Sequence, residues 1–191
     1  MLVAVAQLYQ HTNQDRKDTE KIAEIRAAAE RGEAAAQTDL GWMYTKGQGV
    51  PKDEAQAVVW SRKAADQGYA AAEYNLGTMY AKGQGVPQDE VQAVAWIQKA
   101  ANQGYAAAQY NLGVMYVKGQ GVPKDEAQAF AWTQKAADQG YAAAQYNLGV
   151  AYANGQGVPE DKAQAVTWFR KAAEQNDEKA KSALLLLKWD K

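Results

Sequence analysis

The stretch YNLGTMYAKGQGVPQDE, Tyr74 to Glu90, sets a Gly-Gln-Gly between two segments whose apolar residues fall at helical spacing. It returns as YNLGVMYVKGQGVPKDE from Tyr110 and as YNLGVAYANGQGVPED from Tyr146. Whether those glycines cradle a phosphate or separate helices decides the fold. A phosphate loop needs a strand before the glycines, a helix directly after them and usually Gly-Lys-Ser/Thr, and none of these accompanies the motif. Gly83 instead follows the last periodic residue of one segment, where a positive φ closes a helix, and Gly85 gives a second permissive position before Val86-Pro87. Asp89 then fits a helix N-cap, and Gln92 three residues on predicts a capping-box-like pair, repeated as Asp53/Gln56, Asp125/Gln128 and Asp161/Gln164. The glycines punctuate helices.

Working outward, Gly68, Gly104, Gly140 and Asn176 stand in register at intervals of 36 residues, which marks four units, 33–68, 69–104, 105–140 and 141–176. Within the second unit Tyr69, Ala72, Glu73, Leu76, Gly77 and Tyr80 recur at helical spacing, as do Ala93, Trp96, Ile97, Ala100 and Ala101. Alanine-rich filling favours helix, and no β-branched run alternates with period two. The spacing therefore predicts an all-α chain of helical hairpins, and a register this strict predicts a solenoid of stacked 36-residue units. Residues 1–32 keep a second-helix register over 18–32 but lose the glycine loop before it, so they form a degenerate N-terminal unit. Residues 177–191 predict one closing helix, with Leu184 where Leu148 stands and Leu185 in place of Gly149.

Composition narrows the function classes. Lysine and arginine total 21 against 22 acidic residues, a net charge of −1, so no field draws the chain to nucleic acid or to an anionic membrane. The absence of cysteine removes disulfides, thiolate metal sites and cysteine nucleophiles. The one histidine, His11, lies in the polar QHTNQD and is expected in a solvated loop; alone it supplies neither a multi-histidine metal site nor a supported triad base. No run approaches the roughly 18 apolar residues of a membrane span. The opening MLVAVAQ lacks a basic start, although Ala4-Val5-Ala6 fits a signal-peptidase pattern if a longer precursor exists. The compartment expected is periplasmic or extracellular in that case and cytoplasmic otherwise.

In the pattern AAAQYNLGVMYVKGQGVPKDEAQAFAWTQKAADQG, residues 106–140, the units resemble Sel-one-like repeats, relatives of tetratricopeptide repeats. The resemblance covers residues 33–176. It implies a right-handed α/α superhelix, bacterial origin, and service as an adaptor or scaffold for other proteins, with no shared catalytic residues and hence no expected cofactor or metal. In the tetratricopeptide architecture the first helix of each hairpin lines the concave wall.

Trp60, Trp96, Trp132 and Trp168 form a ladder in the second helices among alanines, and an aromatic on an apolar helical face is expected in the core. Tyr44, Tyr80, Tyr116 and Tyr152 are expected to pack between the paired helices, and Lys63, Lys99, Lys135 and Lys171 to sit solvated in last turns, where a cation suits the dipole. The first-helix face opposite Leu76 carries four rows. They are Thr38, Tyr74, Tyr110, Tyr146; Asp39, Asn75, Asn111, Asn147; Trp42, Thr78, Val114, Val150; and Lys46, Lys82, Lys118, Asn154. One reading is a groove that grips a protein or peptide, with amides on backbone polar groups and Trp42 as an apolar anchor. The other is that the tyrosines and asparagines join adjacent units. Trp42 favours binding, because packing common to all units cannot require an indole where other units carry Thr or Val. Two further function classes are an inhibitor or immunity protein for a secreted toxin or hydrolase and, with less support, a cell-wall-active enzyme using carboxylates such as Asp39. The leucines of ALLLLKW wrap more than one helix face, which suits a partner or dimer contact at the C-terminal helix.

Overall fold

The computed structural model describes residues 18–189, with side chains to residue 186. Expectations for residues 1–17, His11 among them, and for the side chains of residues 187–191 lie outside the described residues. The described residues hold ten α-helices and no strand. Helix α1 covers 18–30. The others are α2 (Ala34–Lys46), α3 (Glu54–Ala65), α4 (Ala70–Lys82), α5 (Glu90–Asn102), α6 (Ala106–Lys118), α7 (Glu126–Asp138), α8 (Ala142–Asn154), α9 (Lys162–Glu174) and α10 (Glu178–Trp189).

The chain divides into two compact units, Met1–Gln88 and Asp89–Lys191. In the first, α2 and α3 pair as a hairpin and α4 packs on α3. In the second, α6 with α7 and α8 with α9 are hairpins, while α5 packs on α6, α7 on α8 and α10 on α9.

The loops show why these residues make hairpins. Helix α4 stops at Gly83, left-handed at φ 65°, and the next N–H, of Gln84, donates back to Met79 O at 3.0 Å. Each second helix starts from its aspartate: Asp53 Oδ1 accepts from Gln56 N at 3.0 Å, Asp89 from Gln92 and Asp125 from Gln128 at 2.9 Å, and Asp161 from Gln164 at 3.0 Å. The other half of the expected capping box is replaced. The Asp53 N–H donates to Tyr44 O at 3.0 Å, Asp125 to Tyr116 O at 3.2 Å and Asp161 to Tyr152 O at 2.8 Å. The glutamine contributes its backbone rather than its side chain, and the aspartate N–H ties the loop to the helix before it. The second glycine does a different job. At Gly121, φ 69°, a Cβ would fall 2.2 Å from Glu90 O, so the loop of one hairpin lies directly on the first turn of the second helix before it.

Each unit buries its own apolar clusters. In the first, Leu40 and Met43 meet Ala29 and Val50, with Tyr44 and Trp60 packed against them. In the second, Leu148 and Trp168 meet Ala136, Ala137 and Ala144, while Phe169, Ala165, Ala172 and Ala180 form a neighbouring cluster under α10. Of the tryptophan ladder, Trp132 and Trp168 are buried and Trp60 and Trp96 half-buried. Every one of the four carries a lysine ammonium over its ring, from Lys63, Lys99, Lys135 and Lys171, at 3.9–4.0 Å from the centroid. The last-turn lysines thus also cover indoles. The tyrosines differ from expectation in part. Tyr44 packs against the cluster of Ala29, Leu40, Met43 and Val50. Tyr152 packs against Ala165 and Phe169 of its paired helix α9, as expected, and also meets Phe130 of the preceding hairpin edge-on at 5.4 Å, while Tyr80 of α4 takes Arg62 of α3 both on its ring and on its hydroxyl.

Buried glutamines link successive hairpins inside each unit. Gln37 donates to Ala29 O at 3.1 Å and accepts from Gln67 Nε2 at 2.7 Å; Gln109 repeats this with Ala101 and Gln139, and Gln145 with Ala137 and Gln175. Glu73 occupies the same register and is equally buried, at 4 % exposure against 5 % for each glutamine.

Candidate functional site

The rows read from the sequence lie on α2 and α4 in the first unit and on α6 and α8 in the second. On α2 they divide by depth. Thr38 is buried at 8 % exposure and its hydroxyl donates to Ala34 O at 2.8 Å, so it does not join the open face. Asp39 is exposed, and Trp42 is exposed to 47 %. Both border a cleft of about 670 Å³ whose other walls are Asp18, Lys21, Ile22 and Ile25 of α1 and the Gln48–Gly49 turn. On α4, Tyr74, Asn75 and Thr78 are half-buried, and the Thr78 hydroxyl donates to Asn75 O at 2.7 Å within its own helix.

In the second unit Tyr110, Asn111 and Val114 on α6 and Tyr146, Asn147 and Val150 on α8 are all half-buried. All but Asn111 are brought together around two openings. Tyr110, Tyr146 and Asn147 border a cleft of about 360 Å³ that continues to Asp177, Glu178 and Lys179 at the start of α10. Val114, Asn147 and Val150 border a narrower one of about 210 Å³ with Val117, Phe130 and Gln156. The same residues also join hairpins. Asn147 Nδ2 donates to the Tyr110 hydroxyl at 3.4 Å, and Tyr146 packs its ring 5.6 Å from Phe169. The asparagine bond runs to a tyrosine side chain of the preceding hairpin, not to backbone.

A half-exposed ring beside open space can accept an apolar or cationic side chain, and hydroxyl and amide groups along a helix face can meet a partner's backbone. Acid–base chemistry asks for more. Among the described residues no group of three or more His, Asp or Glu side chains is placed to hold a metal ion, and no helix is long and apolar enough to cross a membrane. At the C-terminal helix Leu185 and Leu186 are exposed to 60 % and 71 %. Sequence reasoning overlooked the Gln37, Gln109 and Gln145 contacts. A polar residue fixed in an otherwise alanine-lined buried face was the available signal.

The Sel1 repeat model matches residues 34–69, 70–105, 106–141 and 142–177. A protective antigen present in uropathogenic Escherichia coli strains, displaying an SLR fold, is 47% identical with a TM-score of 0.81, covering 83% of this chain and 34% of its own. A Sel1 repeat protein from Oxalobacter formigenes is 42% identical with a TM-score of 0.83, covering 89% of this chain and 49% of its own. An immunity protein from Pseudomonas aeruginosa is 27% identical with a TM-score of 0.59, covering 83% of this chain and 59% of its own. This chain thus spans about a third and about half the length of the first two. No curated protein matches it. These solved relatives are bacterial, and Sel1 repeat proteins are generally non-catalytic scaffolds for protein interaction. With four matched repeats over an all-helical chain that shares the fold of its solved relatives, the protein belongs to the Sel1 repeat family.

Proposed function

We propose that this chain is an adaptor that holds a segment of a partner protein against the open faces of its first helices, α2 and α4 in one unit and α6 and α8 in the other. The observation that carries this reading is Trp42. Its indole is 47 % exposed beside an open cleft. The equivalent positions hold Thr78, Val114 and Val150, so the repeat folds without an aromatic there. A large aromatic maintained at the surface of a groove is the residue type that dominates protein interfaces when truncated.

Capture of a partner from lysate of the native host tests the reading. Trp42→Ala is expected to weaken capture by about 30-fold, the factor that corresponds to a 2 kcal/mol hot spot, and Asn111→Ala by less. Circular dichroism of both variants should match the parent. Undiminished capture by both variants contradicts the groove reading.

A second reading has one specific support, the likeness to an immunity protein from Pseudomonas aeruginosa. In this second reading the partner of the present chain is a toxin or hydrolase, and the same first-helix face plugs it. Co-expression that restores growth against such an enzyme supports this version; a captured partner without toxicity removes it.

A further inference from the structure

Two clefts of this chain occupy one position of the repeat. The first unit's, of about 670 Å³, has Ile22, Ile25 and Trp42 in its walls; the second unit's, of about 210 Å³, has Phe130, Thr133 and Val150, each three intervals of 36 residues further on. They differ in a third wall. In the second unit α6, the first helix of the hairpin, closes the pocket with Gly113, Val114 and Val117, and among the described residues the first unit's cleft has no counterpart of it. Helix α1 accordingly leaves open a face that other second helices bury. Ser61, Thr133 and Phe169 are buried, and a Cβ added to the first-helix glycine opposite each, Gly41, Gly113 or Gly149, would fall 2.6–2.8 Å from their side chains. Ile25 holds the same position in α1 and is half-buried, and Lys21 is exposed where Ala57, Ala129 and Ala165 are buried.

The sequence carries that wall at the right distance. Val5, Ala6 and Tyr9 stand three repeat intervals before Gly113, Val114 and Val117, and Met1, Ala4, Val5 and Leu8 fall at helical spacing as an apolar stripe. Residues 11–17, which lead from there to α1, are as many as the residues 47–53 that join α2 to α3. His11 and Asn13 fall where Gly47 and Gly49 take positive φ, and histidine and asparagine are among the few residues with a side chain that are enriched there. We propose that residues 1–10 form the first helix of the N-terminal hairpin and seat in this cleft against Ile22 and Ile25, so that the chain itself is the occupant. Burial of apolar surface drives the docking. The fit is looser than in the second unit. Val5 and Lys21 replace Gly113 and Ala129, so the segment lies further out than α6 does, with the Lys21 stem along it and the ammonium in water. Asp18 stands where the exposed Glu126 borders the second unit's pocket beside α6, so a carboxylate at this rim is compatible with the helix. Val150 is half-buried with α6 in place, and Trp42, its larger counterpart, keeps an outer edge that a partner can reach. The inference does not rest on the adaptor reading.

The chain has no cysteine, so introduced thiols report without interference. In the full chain Val5→Cys is combined either with Ile25→Cys, the counterparts of Gly113 and Thr133, or with Ala23→Cys. The place of Ala23 is exposed in every later second helix, at Val59, Ala95, Ala131 and Thr167, and lies almost as far along the chain from residue 5. Air oxidation, read by mass spectrometry, is expected to close the disulfide between positions 5 and 25 within one chain at least about 10-fold faster than that between 5 and 23, because docking raises the effective concentration of one pair alone. Single cysteines give a second readout. Val5→Asp, which sets a carboxylate on the apolar seat, should speed thiol labelling of Ile25→Cys by about 3-fold or more and leave Ala23→Cys unchanged. Equal closure of the two pairs, a disulfide between two chains, or labelling of Ile25→Cys that is indifferent to Val5→Asp overturns the proposal. Partner capture that depends on Trp42 is a separate measurement, and its loss bears on the adaptor reading alone.

Discussion

Gly121→Ala is expected to destabilise the second unit by about 2–5 kcal/mol. Two costs combine. The residue sits at φ 69°, where an L side chain costs about 1–2 kcal/mol. The new Cβ would lie 2.2 Å from Glu90 O and 2.9 Å from Val94 Cγ2, and a carbonyl in the first turn of a helix cannot step aside without moving that helix. Such overpacking costs about 1–3 kcal/mol or more. Gly104 separates the two costs, since its φ is 89° but nothing lies within 4 Å of the added Cβ. Gly104→Ala should therefore lose only the backbone part, about 1–2 kcal/mol. Thermal unfolding followed by circular dichroism distinguishes them. Equal losses at the two positions contradict the loop-on-helix contact.

Trp168→Ala is expected to cost about 3–5 kcal/mol, the range for a buried large aromatic. Its ring is 7 % exposed and closes the cluster of Ala136, Ala137, Ala144 and Leu148, small residues that leave little to collapse into the vacated space. Trp60→Ala should cost clearly less, because Trp60 is half-buried. Lys171→Ala, which uncovers the Trp168 ring, should cost about 0.5–1 kcal/mol at this exposed site. Urea unfolding measures all three, and a Trp60 loss equal to that of Trp168 contradicts the assignment of burial.

These effects show which parts of the structure were legible in the residues. Helix ends were, because Gly83 and Asp89 act through local geometry that one loop contains. The core leucines were, because their spacing survives in every repeat. Contacts that depend on how one hairpin lies on the next were not. Nothing in the chain order says that the Asp53 N–H reaches Tyr44 O and not the Gln56 side chain, or that Tyr152 turns to Phe130 of the hairpin before it. Thr38 shares its row with tyrosines, yet a short β-branched side chain bonded to its own helix lies below the surface that longer side chains reach. Gln37, Gln109 and Gln145 read as helix formers until their Nε2 groups are seen on carbonyls eight residues back. Of the candidate residues, Trp42 and Asp39 stand out in the sequence as departures from the repeat, since only a position that varies can be distinguished from packing shared by all copies.

Site-specific photocross-linking in the native host tests the claim that partners lie on the first helices. Benzoylphenylalanine replaces Val114 or Val150 on that face of the second unit, and Val59 or Val91 on the exposed side of second helices, where the parent residues are 45 % and 68 % exposed. The account predicts one protein adduct shared by the substitutions at Val114 and Val150 and none from the other two. Adducts formed only through the positions of Val59 and Val91 would contradict it.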